Sequence, residues 1–197
     1  VMSADHVGSK TYTDELGITK CYAHLNFNSQ YKLWFPREED RPLTIRITHG
    51  TGDRACYTAD LWDTVDLPHD FVIGGIADEQ YNPAHGYLPY DNGWYIKYLE
   101  FDKADEGKRI TLLFDGVATH ATVYLNGSLM KHSFCGYTPF EVDITDFVRF
   151  GANNENVIAV HITPENFDSW WYAGAGIYRN VWLEVSEKVQ VARYGIY

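Results

Sequence analysis

The side chains that could do chemistry in this chain are a row of rings, one His-Asp neighbour pair and a scatter of acids. In residues 168–183 (DSWWYAGAGIYRNVWL), Asp168 precedes Trp170, Trp171 and Tyr172, and Ala173-Gly174-Ala175-Gly176 follows. Flat aromatic rings beside a flexible turn make a surface suited to one face of a sugar ring. Aromatics before a turn are more often plain core, however, because large aromatics dominate cores as well as interfaces. The glycines let the backbone take positive φ and let other groups approach closely. His69 and Asp70 suggest acid–base chemistry by type, but adjacent residues of an extended segment point opposite ways. An Asp just after Pro68 also commonly caps a turn. His161 has no second ligand at a matching spacing, so it is expected as a core or edge histidine rather than a metal ligand. Cys21, Cys56 and Cys135 are odd in number and contain no CxxC pair. They define neither a zinc site nor a disulfide framework, leaving room for one incidental bridge. No metal or cofactor is expected.

The elements that must hold these residues are strands. A chain of 197 residues fits one β-sandwich domain, and its 45% hydrophobic and 16% aromatic content suffices for a core. The 15 Tyr and 6 Trp favour strands and carbohydrate-facing surfaces. A net charge of −11 without any basic run sets nucleic acid aside, since phosphate binding needs clustered cations. No apolar run approaches the roughly 20 residues that span a bilayer, so no membrane partner is expected. The first residues lack the apolar core of a signal peptide. The compartment stays open between periplasm and cytoplasm.

Residues 1–18 are polar and without clear period, and are expected as an extension. From Thr19 the pattern is strand-like, with alternating runs at 22–27, 31–35 and 43–48. Residues 74–92 (GGIADEQYNPAHGYLPYDN) are too rich in Gly, Pro and Asn for a strand and too aromatic for disorder. They are expected as an ordered surface loop. Strands follow at 94–101, 109–114 and 121–125, with a charged hairpin turn at 103–108. Asn126-Gly127 supplies a tight hairpin turn, which explains the Asn126-Gly127-Ser128 sequon without glycosylation. Next come a strand within 137–144, a single helical turn capped by Thr145, and a central strand at 156–163. The run 177–185 alternates, with Val181, Leu183 and Val185 on one face. A last alternating strand is expected after Ser186, running to the final residue as if cut from a longer protein. No stretch keeps a period of 3.6. Strands every ten to fifteen residues or so predict an all-β antiparallel sandwich.

Six stretches, taken together and in order, resemble the N-terminal sugar-binding jelly-roll domain of glycoside hydrolase family 2, the β-galactosidases, β-glucuronidases and β-mannosidases. They are WDTVDLPHDF (62–71), GWY (93–95), FDGVATHATVYLNG (114–127), GYTPFEVDIT (136–145), NVIAV (156–160) and AGAGIYRNVWL (173–183). GYLPYDNGWY (86–95) looks most like bacterial members of β-galactosidase type. The resemblance implies a domain over 19–186, with 187–197 leading towards a following immunoglobulin-like domain. The family hydrolyses glycosides with retention, using two carboxylates about 5 Å apart, which relatives carry in a later TIM barrel. This polypeptide is therefore expected to be catalytically silent alone, to brace that barrel, and to bind carbohydrate of β-galactoside type within the full-length enzyme. The alternative is a stand-alone carbohydrate-binding module with an exposed aromatic platform.

Two loops are the sugar-contact candidates: Asp91 and Asn92 with Trp94, and Asp168 with Trp170 and Trp171. Carboxylate and amide oxygens would accept hydrogen bonds from sugar hydroxyls, and indoles would stack on the apolar sugar face. Arg179 looks like the family's internal arginine. A lone buried guanidinium is costly, so Asp70 is its candidate partner and the two are expected to be structural. Trp170 stands where many relatives carry arginine, and Cys135 where they often carry Gly or Tyr.

Overall fold

Alternation at period two builds half-buried strands. In chain order these are β1 (Ser9–Thr13), β2 (Thr19–Ala23), β3 (Tyr31–Trp34), β4 (Asp63–Val65), β5 (Gly93–Leu99), β6 (Arg109–Phe114), β7 (Ala121–Leu125), β8 (Ser128–Ser133), β9 (Phe140–Asp143), β10 (Asn156–Ile162) and β11 (Val181–Ser186). The structure, a computed structural model, describes residues 9–13, 19–23, 31–34, 63–90, 92–164 and 174–196. One sheet runs β4-β3-β5-β10-β7-β8, a second β11-β6-β9, and β1 pairs with β2. All the strand ladders are antiparallel.

The core lies between the two larger sheets. Tyr95 and Leu99 of β5, Ala121, Val123 and Leu125 of β7, and Ile158, Val160 and Ile162 of β10 face inward. Ile110, Leu112 and Phe114 of β6, Phe140 and Val142 of β9, and Val181 and Leu183 of β11 close the other side. Each Val, Leu, Ile or Phe among them contributes about 1.5–3 kcal/mol on burial. The antiparallel sandwich, the bounds of β6 and β7, and the central place of β10 between β5 and β7 are as the pattern predicts.

Asn126 (φ 51°) and Gly127 (φ 84°) make the β7–β8 turn with positive φ at both central residues. The Asn126 amide is spent inside the fold. Its Oδ1 accepts from Val157 N, and its Nδ2 donates to Phe147 O and to Asn156 Oδ1. Asn156 is buried, and its amide is paired on both sides with the 149–154 backbone. As expected, residues 74–90 form an ordered loop without a strand. It holds one 3₁₀ turn, Pro83–His85, capped by Asn82, and buried His85 packs on Tyr90 with ring centroids 4.4 Å apart.

Four expectations are corrected. β1 falls inside the stretch 1–18, which was expected to be irregular; it finds a partner in β2. Residues 103–108 do not close a hairpin. β5 and β6 lie in different sheets, and this segment, a 3₁₀ turn at Lys103–Asp105 capped by Asp102, carries the chain from one sheet to the other. Thr145 caps no helix: the 3₁₀ turn Thr145–Phe147 has no side-chain cap. The Thr145 hydroxyl accepts from Ile110 N and donates to Asp143 Oδ1, tying β6 to β9. Residues 187–196 form no strand. No neighbouring ladder takes them up, and Val189, Val191, Tyr194 and Ile196 stay exposed. The expected strand at 43–48 lies outside the described residues.

Candidate functional site

The signature stretches converge on a buried knot. His69 N donates to Ile177 O and Phe71 N to Ala175 O, so the 67–71 segment pairs with 174–178. Ala118 and Gly176 exchange both backbone hydrogen bonds. Asp70 Oδ1 accepts from Val72 N, Ile73 N and Ala175 N, at 2.9, 3.2 and 3.3 Å. It thus caps its own turn and reaches across to the glycine-rich segment, which is the turn-capping role its place after Pro68 predicts. The Tyr95 hydroxyl lies 2.9 Å from His69 Nδ1. Burial pushes the Tyr95 phenol well above its usual range, and burial pulls His69 below the usual imidazole range against the opposing charge of Asp70.

Glycines make the knot possible. A Cβ on Gly176, whose φ is +149°, would collide with the His69 carbonyl oxygen and lie 2.8 Å from the Tyr95 hydroxyl. One on Gly93 would run into the Phe71 ring. Gly116 lets Tyr178 pass, and the Tyr178 hydroxyl donates to Gly136 O at 2.6 Å. The Trp182 indole donates to Asp115 Oδ2 at 2.7 Å. The polar groups named here hold strands and turns together.

Arg179 is a correction. It is exposed, its guanidinium carbon 5.3 Å from the Tyr178 ring centre, and it escapes the burial that would demand a carboxylate partner. Asp70 keeps its structural place through backbone amides instead.

Of the sugar-contact candidates, Asp91, Asp168, Trp170 and Trp171 lie outside the described residues. Asn92 is exposed. Trp94 is only 8% exposed, and its ring stacks on His161 at 4.3 Å and on Tyr124 at 5.9 Å. Its indole is already committed to neighbours, which leaves little of it to meet a ligand. The register nevertheless sets side by side the strand ends from which these stretches leave. Gly93, the first residue of β5, pairs with Ile162, the last of β10. The segments carrying Asp91-Asn92 and 165–173 therefore join the sheet at the same end, on adjacent strands.

The outer face of the same sheet carries a second row of rings. Trp94, His161, Thr122 and His132 lie on one rung across β5, β10, β7 and β8. Thr122 Oγ1 and His132 Nδ1 are hydrogen-bonded at 2.7 Å. Beyond the strand ends, His120 and Phe134 extend the row. Phe134 meets His132 edge-on at 4.6 Å and His120 at 5.8 Å. Burial, followed by the neighbouring His132, holds His161 below the usual imidazole range. His120, His132 and Phe134 were not among the residues expected from sequence. Among the described residues no group of three or more His, Cys, Asp or Glu is placed to hold a metal ion.

Comparison with known proteins agrees with this architecture. Residues 57–186 match the model of the glycosyl hydrolases family 2 sugar binding domain. A β-galactosidase of Bacteroides ovatus is 39% identical over 140 residues, covering 69% of this chain and 16% of that protein. A β-glucuronidase of Formosa agariphila is 29% identical over 154 residues, covering 68% of this chain and 15% of that protein. A solved family 2 glycosyl hydrolase from Bacteroides cellulosilyticus superposes with a TM-score of 0.64 at 32% identity, over 82% of this chain and 20% of that one. The chain thus spans about a sixth of the length of these curated relatives.

Proposed function

Because the chain belongs to the sugar binding domain family of the family 2 glycosyl hydrolases, we propose that it is the non-catalytic N-terminal domain of a retaining β-glycosidase of β-galactosidase type. In this reading the full-length enzyme hydrolyses O-glycosyl bonds with a carboxylate pair about 5 Å apart, supplied by a later barrel domain. The sandwich braces that barrel and lends its loop end to the sugar pocket. The observation that carries the reading is the pairing of Gly93 with Ile162, which roots both candidate loops side by side. A site needs convergent groups, and rigid strands set two loops more reproducibly than either could set itself.

The roles follow from chemistry. Asp91, Asn92 and Asp168 accept hydrogen bonds from sugar hydroxyls; Trp170 and Trp171 cover the apolar face of the ring. Trp94 supports this end from within the sheet. The 39% identity with the Bacteroides ovatus β-galactosidase supports a β-galactoside substrate.

The test is an assay of the complete natural reading frame against aryl β-galactosides and β-glucuronides. Asp168→Ala and Trp170→Ala in that protein are expected to lower kcat/KM on the galactoside by roughly tenfold or more. Unchanged kcat/KM in both variants, or turnover of the glucuronide alone, would overturn the reading. The stand-alone module gains no support from relatives six times longer than the matched segment.

A further inference from the structure

The row of rings at the β7–β8 edge is unused by the site above. We infer that Phe134, His132 and His120, with Thr122, form a second carbohydrate-contact surface: a distal subsite that takes an uncharged oligosaccharide extending away from the loop end. This rests on the reading of the chain as a sugar-contacting domain of a β-galactoside enzyme.

Three observations converge. First, Phe134 is 71% exposed, yet its ring is held from two sides by near-perpendicular contacts, 74° to His132 and 87° to His120. An exposed aromatic fixed in this way is a ready platform, with little side-chain freedom left to lose on binding. Second, the polar groups around it suit hydroxyls. Thr122 fixes one ring nitrogen of His132, leaving the other to donate or accept. His120 sits at φ 47°, a left-handed conformation uncommon for a residue with a side chain, and the turn holds it there beside the platform. The lysine of β8 lies on the other face: Lys131, exposed, pairs with Val123 and donates to Glu141 O. Among the described residues of the cluster, aromatic planes with a hydroxyl and imidazole groups match a neutral glycan better than a phosphate or a peptide terminus.

Third, the cluster shares the loop end. Ser133, the last residue of β8, pairs with Ala121; Ala121 pairs with Ile162; Ile162 pairs with Gly93. Phe134 and the Asp91-Asn92 segment thus leave the same end of the sheet, three strand spacings or roughly 14 Å apart. Between them, on the adjoining rung, stand Thr122, His161 and Trp94. One sugar ring cannot bridge that span, whereas a chain of several can. The proposed substrate class is accordingly an oligosaccharide rather than a disaccharide.

The experiment is calorimetric titration of the 197-residue chain with galactose and with a β-linked galactotetraose. The wild type is expected to bind the tetraose at millimolar strength or tighter, and galactose roughly tenfold more weakly. Phe134→Ala and His132→Ala should weaken tetraose binding about fivefold or more, while Phe134→Tyr keeps it within about twofold. A melting curve of each variant confirms folding, which an exposed ring does not control. Unchanged tetraose affinity in Phe134→Ala, or no binding by the wild type, overturns the subsite and leaves these rings as a docking face for another protein surface. The enzyme reading fails separately, through the full-length assay of Asp168→Ala.

Discussion

The buried knot and the outer row of rings use similar residues to opposite ends. Each contains a histidine in a ring contact, each lies at the loop end, and each has a residue at positive φ, Gly176 in one and His120 in the other. In the knot, Tyr95 is buried, Asp70 serves three backbone amides, and His69 meets Tyr95. In the row, His132 and Phe134 are exposed. The stretches that carry the family resemblance supply the knot. Most motif residues here hold strands together; His120 and Thr122 of the 114–127 stretch instead reach the outer row, whose His132 and Phe134 lie outside the motifs.

The contrast breaks most visibly at Gly176. Gly176→Ala forces a Cβ against the His69 carbonyl and the Tyr95 hydroxyl at φ +149°, and is expected to cost about 3 kcal/mol or more in a urea titration. A loss below about 1 kcal/mol would mean the knot yields easily. Asp70→Ala strips an acceptor from three amides and should cost about 2–3 kcal/mol; Asp70→Asn keeps an oxygen there and should cost about 1.

Lys97 sharpens the comparison from inside the sandwich. It is 3% exposed, on the strand face that also carries Tyr95, and burial lowers its ammonium to about 8 against the attraction of Asp66. A lysine lowered in the folded state binds fewer protons folded than unfolded between about pH 8 and 10.4, so stability rises with pH across that window. Below pH 8 the full penalty is present. Lys97→Met is therefore expected to stabilise by about 1–2 kcal/mol at pH 7 and by little at pH 10. A gain independent of pH would point to packing alone.

His69 in the knot and His161 in the row are both lowered, chiefly by burial. Each remains neutral in the fold when the unfolded chain has begun to take up a proton, so stability falls as pH drops through about 6.5 towards the folded values. His161→Gln should remove part of that slope, worth less than about 1 kcal/mol, and leave the His69 part. The smallest effect belongs to the edge. Phe134→Ala should change stability by no more than about 0.5 kcal/mol.

Period two made β6, β7 and β10 legible, and Asn126-Gly127 fixed where the chain reverses. Other features had no such signal. A charged turn with Gly107 looks like a hairpin from either side, and only packing decides that β5 and β6 enter different sheets. The outer row was hidden by one residue. Counting back from Asn126-Gly127 sets Thr122 opposite Lys131; a bulge between Val123 and Tyr124 shifts the ladder and sets it opposite His132. The bulge moves Lys131 to the face of Val123 and His132 to that of Thr122, and nothing in SLMKHS announces it. Arg179 misled for a related reason: a motif position specifies a residue's neighbours in sequence and says little about its depth. For the candidate loops, the sequence supplied residue types, and strand register supplied their common root.

The most direct test of this division is the thermal midpoint measured with and without saturating β-galactotetraose, in the wild type, Asp70→Ala and Phe134→Ala. Ligand that binds only the folded state raises the midpoint. The account predicts that Asp70→Ala melts several degrees lower yet keeps the full ligand-induced rise, while Phe134→Ala melts with the wild type and loses most of that rise. A Phe134→Ala protein that melts early and retains the rise, or an Asp70→Ala protein that melts normally and loses it, would contradict the account.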